Sequence, residues 1–132
     1  MDLAMKTTKV IFISLGVLMF SGFIANGAET GNQRKNAENV YAYLIEEVAK
    51  SHLTFTRNGV EYSSEEAANH IRKKYEYFKS QIKSPEDFIH VCASKSLVSG
   101  KSYLVSTAQG KIPVETWLGE ILMEHGKKQK LF

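Results

Sequence analysis

LTFTRNGVEYSSEEAANHIRKKYEYF, residues Leu53–Phe78, is the stretch whose reading decides the fold. Leu53 and Phe55 alternate with Thr54 and Thr56, the period of a half-buried strand. Asn58-Gly59 then supplies two residues that tolerate positive φ, the strongest short-range signal of a two-residue hairpin. Val60–Tyr62 reads as a short return strand. Ser63 follows, with Glu66 three residues on, so that hydroxyl and carboxylate can each satisfy a backbone N–H in the first turn of a helix. Beyond this cap Ala67, Ala68, Ile71, Tyr75, Phe78 and Ile82 recur at three- and four-residue steps, opposite Arg72, Lys73, Glu76 and Lys79. The stretch predicts a hairpin feeding an amphipathic helix that continues to about Ile82.

The same helical period extends upstream, at Ala37, Val40, Tyr41, Leu44, Ile45 and Val48, and predicts a helix over 36–50. Downstream, Ser84 caps another helix, Pro85 suits its first position and Asp87 can reciprocate in the box. Phe88, Ile89, Cys92 and Ala93 form its buried face, and it ends near Lys95 or Ser96. Ser99-Gly100-Lys101 turns the chain into a strand over 102–107, with Tyr103 and Val105 on one face. Residues 108–111 turn again. Pro113 opens a last helix, with Val114, Trp117, Leu118, Ile121 and Leu122 inward and Gly126 as its stop. Two strands alone are marginal in water, so Tyr103–Ser106 is expected to pair with Leu53–Arg57. The predicted fold class is α+β: about four helices packed on a small two- or three-stranded antiparallel sheet, with strands near 53–57, 60–62 and 102–107.

The N-terminal end carries an address. Met1–Lys9 is polar and contains Lys6 and Lys9, Val10–Ala25 is a nearly unbroken apolar run, and small residues stand at Ala25, Gly27 and Ala28. That order is the order of a secretory signal peptide, expected to be cleaved after Gly27. The apolar run is shorter than the roughly 20 residues a membrane-spanning helix requires. The expected organisation is therefore a signal peptide over 1–27, a polar linker over 28–35, one α+β domain over 36–126 and a basic tail over 127–132. Membrane contact is expected only through the signal segment before cleavage.

The formal net charge is +3, and the signal segment holds Lys6, Lys9 and Asp2, which leaves about +2 on the domain. So weak a balance does not argue for nucleic acid, and no nucleic-acid partner is expected. Cys92 is the one cysteine. It cannot close a bridge within the chain, and it reads as a buried small hydrophobe, with an intermolecular bridge or a reactive thiol as alternatives.

The chemical motifs of enzymes are incomplete. Gly100-Lys101-Ser102 resembles the end of a phosphate loop, but Lys95 stands where that loop needs a glycine, and the segment runs from helix to strand rather than the reverse. His52, His70, His90 and His125 form no i,i+4 pair, and His90 and Cys92 diverge on a helix, so no metal site is expected. No cofactor motif is present. Ser94, Ser96, Ser99 and Ser102 lie in no nucleophile elbow and read as capping and turn residues. Glu66, His70 and Lys74 share one helix line at i,i+4 steps, which reads as surface pairing.

One constellation stands out. Arg57 and Asn58 at the hairpin, Tyr62 on its return strand, Glu66 and His70 on the helix, and Ser99, Lys101 and Tyr103 beside the second strand converge on one polar groove if the strands pair as expected. They are the candidate binding residues. The structural alternative, in which Arg57 and His70 simply tie hairpin to helix, is the preferred reading of the pair.

RNGVEYSSEEAANHIRKKYEYF at Arg57–Phe78 and SPEDFIHVCASKSLVSGKSYLV at Ser84–Val105 resemble the YfeK-like family of small exported bacterial proteins. The likeness runs from about Leu44 to Leu122. It rests on the F-x-R-N-G of Phe55–Gly59, the run Glu66–Lys74, the helix start at Glu86–Ile89 and the serine-rich run Ala93–Tyr103. The resemblance implies a periplasmic home in a Gram-negative bacterium and no established activity. It also implies that some members carry a cysteine at the position of Leu53 and another near Ser106 or Thr107, a pair this sequence lacks. The functional expectation is a non-catalytic periplasmic binding or interaction protein, with an envelope protein or cell-wall component as partner. The alternative is a small envelope hydrolase using Ser, His and Lys near the groove.

Overall fold

A computed structural model describes residues 27–131 of the chain, so the expected signal peptide lies, Gly27 apart, outside the described residues. Helix α1, Gly27–Lys50, is followed by strands β1, Phe55–Arg57, and β2, Val60–Tyr62. Helix α2, Ser64–Phe78, closes with a 3-10 turn at Lys79–Gln81, and helix α3 spans Pro85–Ala93. Strands β3, Leu104–Thr107, and β4, Gly110–Pro113, lead into helix α4, Val114–Lys130. The fold is α+β, with four α-helices among the described residues and an antiparallel sheet in the order β2-β1-β3-β4. The chain divides after Asn36 into two units, and the core described below belongs to the second, Ala37–Phe132.

The local signals operate as chemistry demands. Asn58 and Gly59 both take positive φ, 53° and 78°, and set Arg57 opposite Val60. Ser63 Oγ accepts from the Glu66 N–H while Glu66 Oε2 accepts from the Ser63 N–H at 2.8 Å, completing the capping box. Ser84 Oγ likewise caps α3. Asp87, expected to reciprocate there, instead accepts from the Lys83 N–H at 3.1 Å. Strand β1 pairs with β3 at Phe55↔Val105 and Thr56↔Leu104, so the Tyr103–Ser106 segment does complete the sheet.

Three features differ from the sequence expectations. The stretch 28–35, expected as a polar linker ahead of a helix beginning at 36, is helical within α1, and Gly31–Asn36 are exposed. No proline interrupts it, and lengthening a helix already formed at Val40–Val48 costs far less than nucleating one. The sheet has four strands rather than two or three, because Thr107–Gly110 turns tightly and Gly110–Pro113 returns along β3. Gly110 takes φ 111°, which a side chain would resist. Finally, α4 continues through Gly126 to Lys130, with Lys127, Lys128 and Lys130 in its last turn. Cations are favourable there against the helix dipole.

Phe88 centres the core. Its ring stacks on Tyr41 at 5.0 Å and meets Tyr75 edge-on at 5.7 Å, which joins α1, α2 and α3. Burying a side chain of this kind contributes about 1.5–3 kcal/mol relative to exposure. Phe55 on β1 meets Trp117 on α4 edge-on at 5.7 Å, fixing the hairpin against the last helix. Ser64 Oγ donates to the Ala49 carbonyl at 3.0 Å and fixes the start of α2 against α1. Cys92 is fully buried in this core, and burial pushes its thiol up to about 11, against the opposing pull of Lys74. Without exposure it has no route to a reagent or a second chain, so the buried-hydrophobe reading holds.

Candidate functional site

The hairpin and the first half of α2 are a single covalent unit. Arg57 ends β1, the tight turn returns the chain through Tyr62, and the capping box aims α2 back along the sheet. His70 lies two turns into that helix. Strand pairing brings in Tyr103, the residue before β3, whose N–H donates to the Ser94 carbonyl at 3.0 Å and whose own carbonyl accepts from the Val114 N–H at 2.9 Å.

These elements line a half-open cavity of about 320 Å³. Phe55, Ala67, Ile71 and Val114 supply apolar wall, Tyr62 and Tyr103 add aromatic surface, and Arg57, Glu66, His70 and Lys73 add polar groups. Arg57 Nη1 is 2.9 Å from His70 Nδ1 and 3.0 Å from Nε2, and Nη2 donates to Tyr62 Oη at 3.3 Å. His70 Nε2 is 3.1 Å from Tyr103 Oη. Behind them Lys74, 8% exposed, donates to Tyr103 Oη at 3.3 Å and to the Lys95 carbonyl at 3.1 Å.

The donor inventory limits the protonation pattern to a neutral ring that accepts from Arg57. Arg57 and Lys74 can only donate, so His70 must offer Arg57 a lone pair. With Nδ1 as that acceptor, Nε2–H donates to Tyr103 Oη, which also accepts from Lys74. The phenolic proton of Tyr103 is then left for a further acceptor. Electrostatics agree: burial, and then the charges of Arg57, Lys74 and Lys73, hold the His70 pKa down at about 4, so the ring is neutral at neutral pH. Burial lowers the Lys74 pKa, with Cys92 opposing and Arg57 adding to the effect. Burial raises that of Tyr103 against the opposing pull of Arg57.

Of the residues singled out from sequence, Arg57, Tyr62, Glu66, His70 and Tyr103 line the cavity. Asn58, Ser99 and Lys101 do not; they belong to a lashing beside the hairpin. Asn58 Nδ2 donates to Ser96 Oγ at 3.3 Å, Ser99 Oγ donates to Asn58 Oδ1, and the Lys101 N–H donates to Ser99 Oγ at 3.2 Å. The serines thus turn the chain and tie it down. Lys74, which the spacing places with Glu66 and His70 on a surface line and which closes the Glu66–Lys74 run of the resemblance, is buried instead. Glu66 is drawn into the cap, His70 faces the sheet and Lys74 runs beneath it. Its position three residues after Ile71 on the apolar side was the available signal.

Among the described residues, the ring partners of His70 are Arg57 and Tyr103, with no serine or cysteine in hydrogen-bond reach. No group of three or more His, Cys, Asp or Glu side chains among them is placed to hold a metal ion. No described helix is long and apolar enough to cross a membrane.

Comparison with known proteins gives an uncharacterized relative and a family of unknown function. The chain is 43% identical over 54 residues to the uncharacterized protein YfeK of Salmonella typhimurium, a match covering 41% of this chain and 45% of that protein. The matched region is thus less than half the length of the relative. No solved structure matches the chain. The model of a family of unknown function, DUF5329, matches residues 35–125, which is most of the chain, and the chain belongs to that family.

Proposed function

We propose that this chain is an exported, non-catalytic binding domain of the bacterial envelope, whose ligand or partner enters the cavity between the hairpin and α2. The observation that carries this reading is the Arg57–His70–Tyr103 network at a cavity with both apolar and polar walls. Concave, largely apolar sites with a few converging polar groups are where small ligands bind. Export is inferred from the tripartite order of residues 1–27, and an envelope protein or cell-wall component suits that location.

A binding role is favoured over hydrolysis by the company His70 keeps. A catalytic base needs a nucleophile within hydrogen-bond reach or through one water. His70 is instead engaged by a guanidinium and a phenol and is poorly basic. The test is affinity capture from envelope extract with the full chain and with its Arg57→Ala variant. Loss of a specific component with the variant supports the reading, and identical recovery sinks it.

A further inference from the structure

Two cations meet at this site, Arg57 on the cavity wall and Lys74 behind it, and among the described residues neither has a carboxylate within ion-pair reach. Arg57 is half-buried, and its partners are a neutral imidazole and a phenol. Lys74 is buried, and its partners are a phenol and a carbonyl. The ion pairs among the described residues lie elsewhere, at Glu47–Lys50, Glu61–Lys111, His90–Glu115 and Glu124–Lys127. Glu66 is the one carboxylate of the cavity wall, and the Ser63 N–H holds it at the helix cap. Lys73 adds a third cation at the wall. Charges withdrawn from water are ordinarily paired.

We propose that the missing counter-ion is the ligand: a small carboxylate with an apolar body, seated with its head on Arg57 and the Tyr103 hydroxyl. This deepens the preceding proposal and rests on its reading of the cavity as the binding site. A guanidinium presents a planar fork matched to a carboxylate. In the tautomer with Nδ1 as acceptor, the Tyr103 proton is available as a second donor. Phe55, Ala67, Ile71 and Val114 then face the remainder of the ligand, which must be apolar to profit from them. A cavity near 320 Å³ lies at the small end of ligand sites, which limits that body to a ring or a short chain. A free carboxylic acid and the C-terminal carboxylate of a short peptide share this chemistry.

Calorimetric titration of the full chain with hydrocinnamate and its neutral amide tests the class, and titration with acetyl-alanyl-alanine and its C-terminal amide separates the sources. The expected result is binding of at least one acid, with its amide about tenfold weaker or more. Arg57→Gln should remove that preference, Arg57→Lys should keep part of it, and Lys128→Gln, in the exposed last turn of α4, should leave it unchanged. Tighter binding of the peptide assigns a chain terminus, and tighter binding of hydrocinnamate a free acid. Because Arg57→Lys retains the charge, it serves if Arg57→Gln folds poorly. Equal binding of acid and amide overturns the proposal, as does acid binding indifferent to Arg57→Gln. If neither acid binds while envelope capture still depends on Arg57, the ligand class falls and the binding function stands. If capture is independent of Arg57 as well, both fall.

Discussion

Arg57 Nη1 lies within 3.0 Å of both ring nitrogens of His70, so a permanent positive charge is held against the edge of an imidazole. A protonated ring could not accept from that guanidinium, and the pair is stable only while His70 is neutral. The pairing ties hairpin to helix, and both residues line the cavity.

Substituting Arg57 should therefore change His70 in a measured way. Burial is the leading cause of its low pKa and the Arg57 charge comes second. In Arg57→Gln the His70 pKa should rise from about 4 but remain below the ordinary 6.5. Proton NMR of the imidazole C–H resonances across a pH series reads this directly. A return to the full ordinary value would show that the guanidinium, and not burial, governs the ring.

The same residue gives the fold an acid sensitivity. Unfolded, His70 titrates near 6.5; folded, near 4. Between those values the unfolded chain takes up a proton that the native state refuses, so stability falls as pH drops from 6.5 to about 4 and levels off below. The contribution is on the order of 1–2 kcal/mol once solvent screening of a half-buried ring is allowed for. Urea unfolding at a series of pH values should show this slope in the native chain and its loss in His70→Gln. Parallel profiles would remove His70 as the cause.

How far the sequence was legible follows from the range of each interaction. Ser63–Glu66, Asn58-Gly59 and the Ile71–Tyr75–Phe78 spacing are local instructions, satisfied within a few residues, and each produced its element. Strand β4 carries Ile112 alone as an inward apolar residue between Lys111 and Pro113, so alternation had nothing to display; partnership with β3 makes it a strand. The site divides in the same way. Arg57, His70 and Tyr103 could be placed together once β1 was paired with β3. Lys74 sits on the apolar side three residues after Ile71, but the Lys95 carbonyl that accepts from its ammonium lies twenty-one residues away, beyond any local pattern.

Two glycines make a paired test of backbone conformation. Gly59 has φ 78°, and a Cβ there would meet no neighbouring atom within 4 Å, so any cost of Gly59→Ala is conformational. It should destabilise by about 1–2 kcal/mol. Gly119 sits inside α4, also with open space around an added Cβ. There the same substitution should stabilise by about 0.5–1 kcal/mol, since alanine loses less freedom in a helix. Urea midpoints of the two variants should move in opposite directions. Movement in the same direction would mean that packing, not φ, decides at one of them.

Thr56 offers a gain on the opposite sheet face. It pairs with Glu61 and Leu104, and alternation turns it away from Phe55. Glu61 and Lys111, from the two edge strands, approach to 3.9 Å across that face. Thr56 Oγ1 is buried without a hydrogen-bond partner. A buried hydroxyl in that condition retains its desolvation cost and receives nothing in exchange. Thr56→Val keeps the branched shape a strand favours and replaces the hydroxyl by a methyl. It should raise stability by about 1 kcal/mol, whereas Thr56→Ser, which keeps the hydroxyl and removes the methyl, should lower it. Urea unfolding of both variants at neutral pH decides the matter. A loss of stability in Thr56→Val would show that the hydroxyl is satisfied in solution.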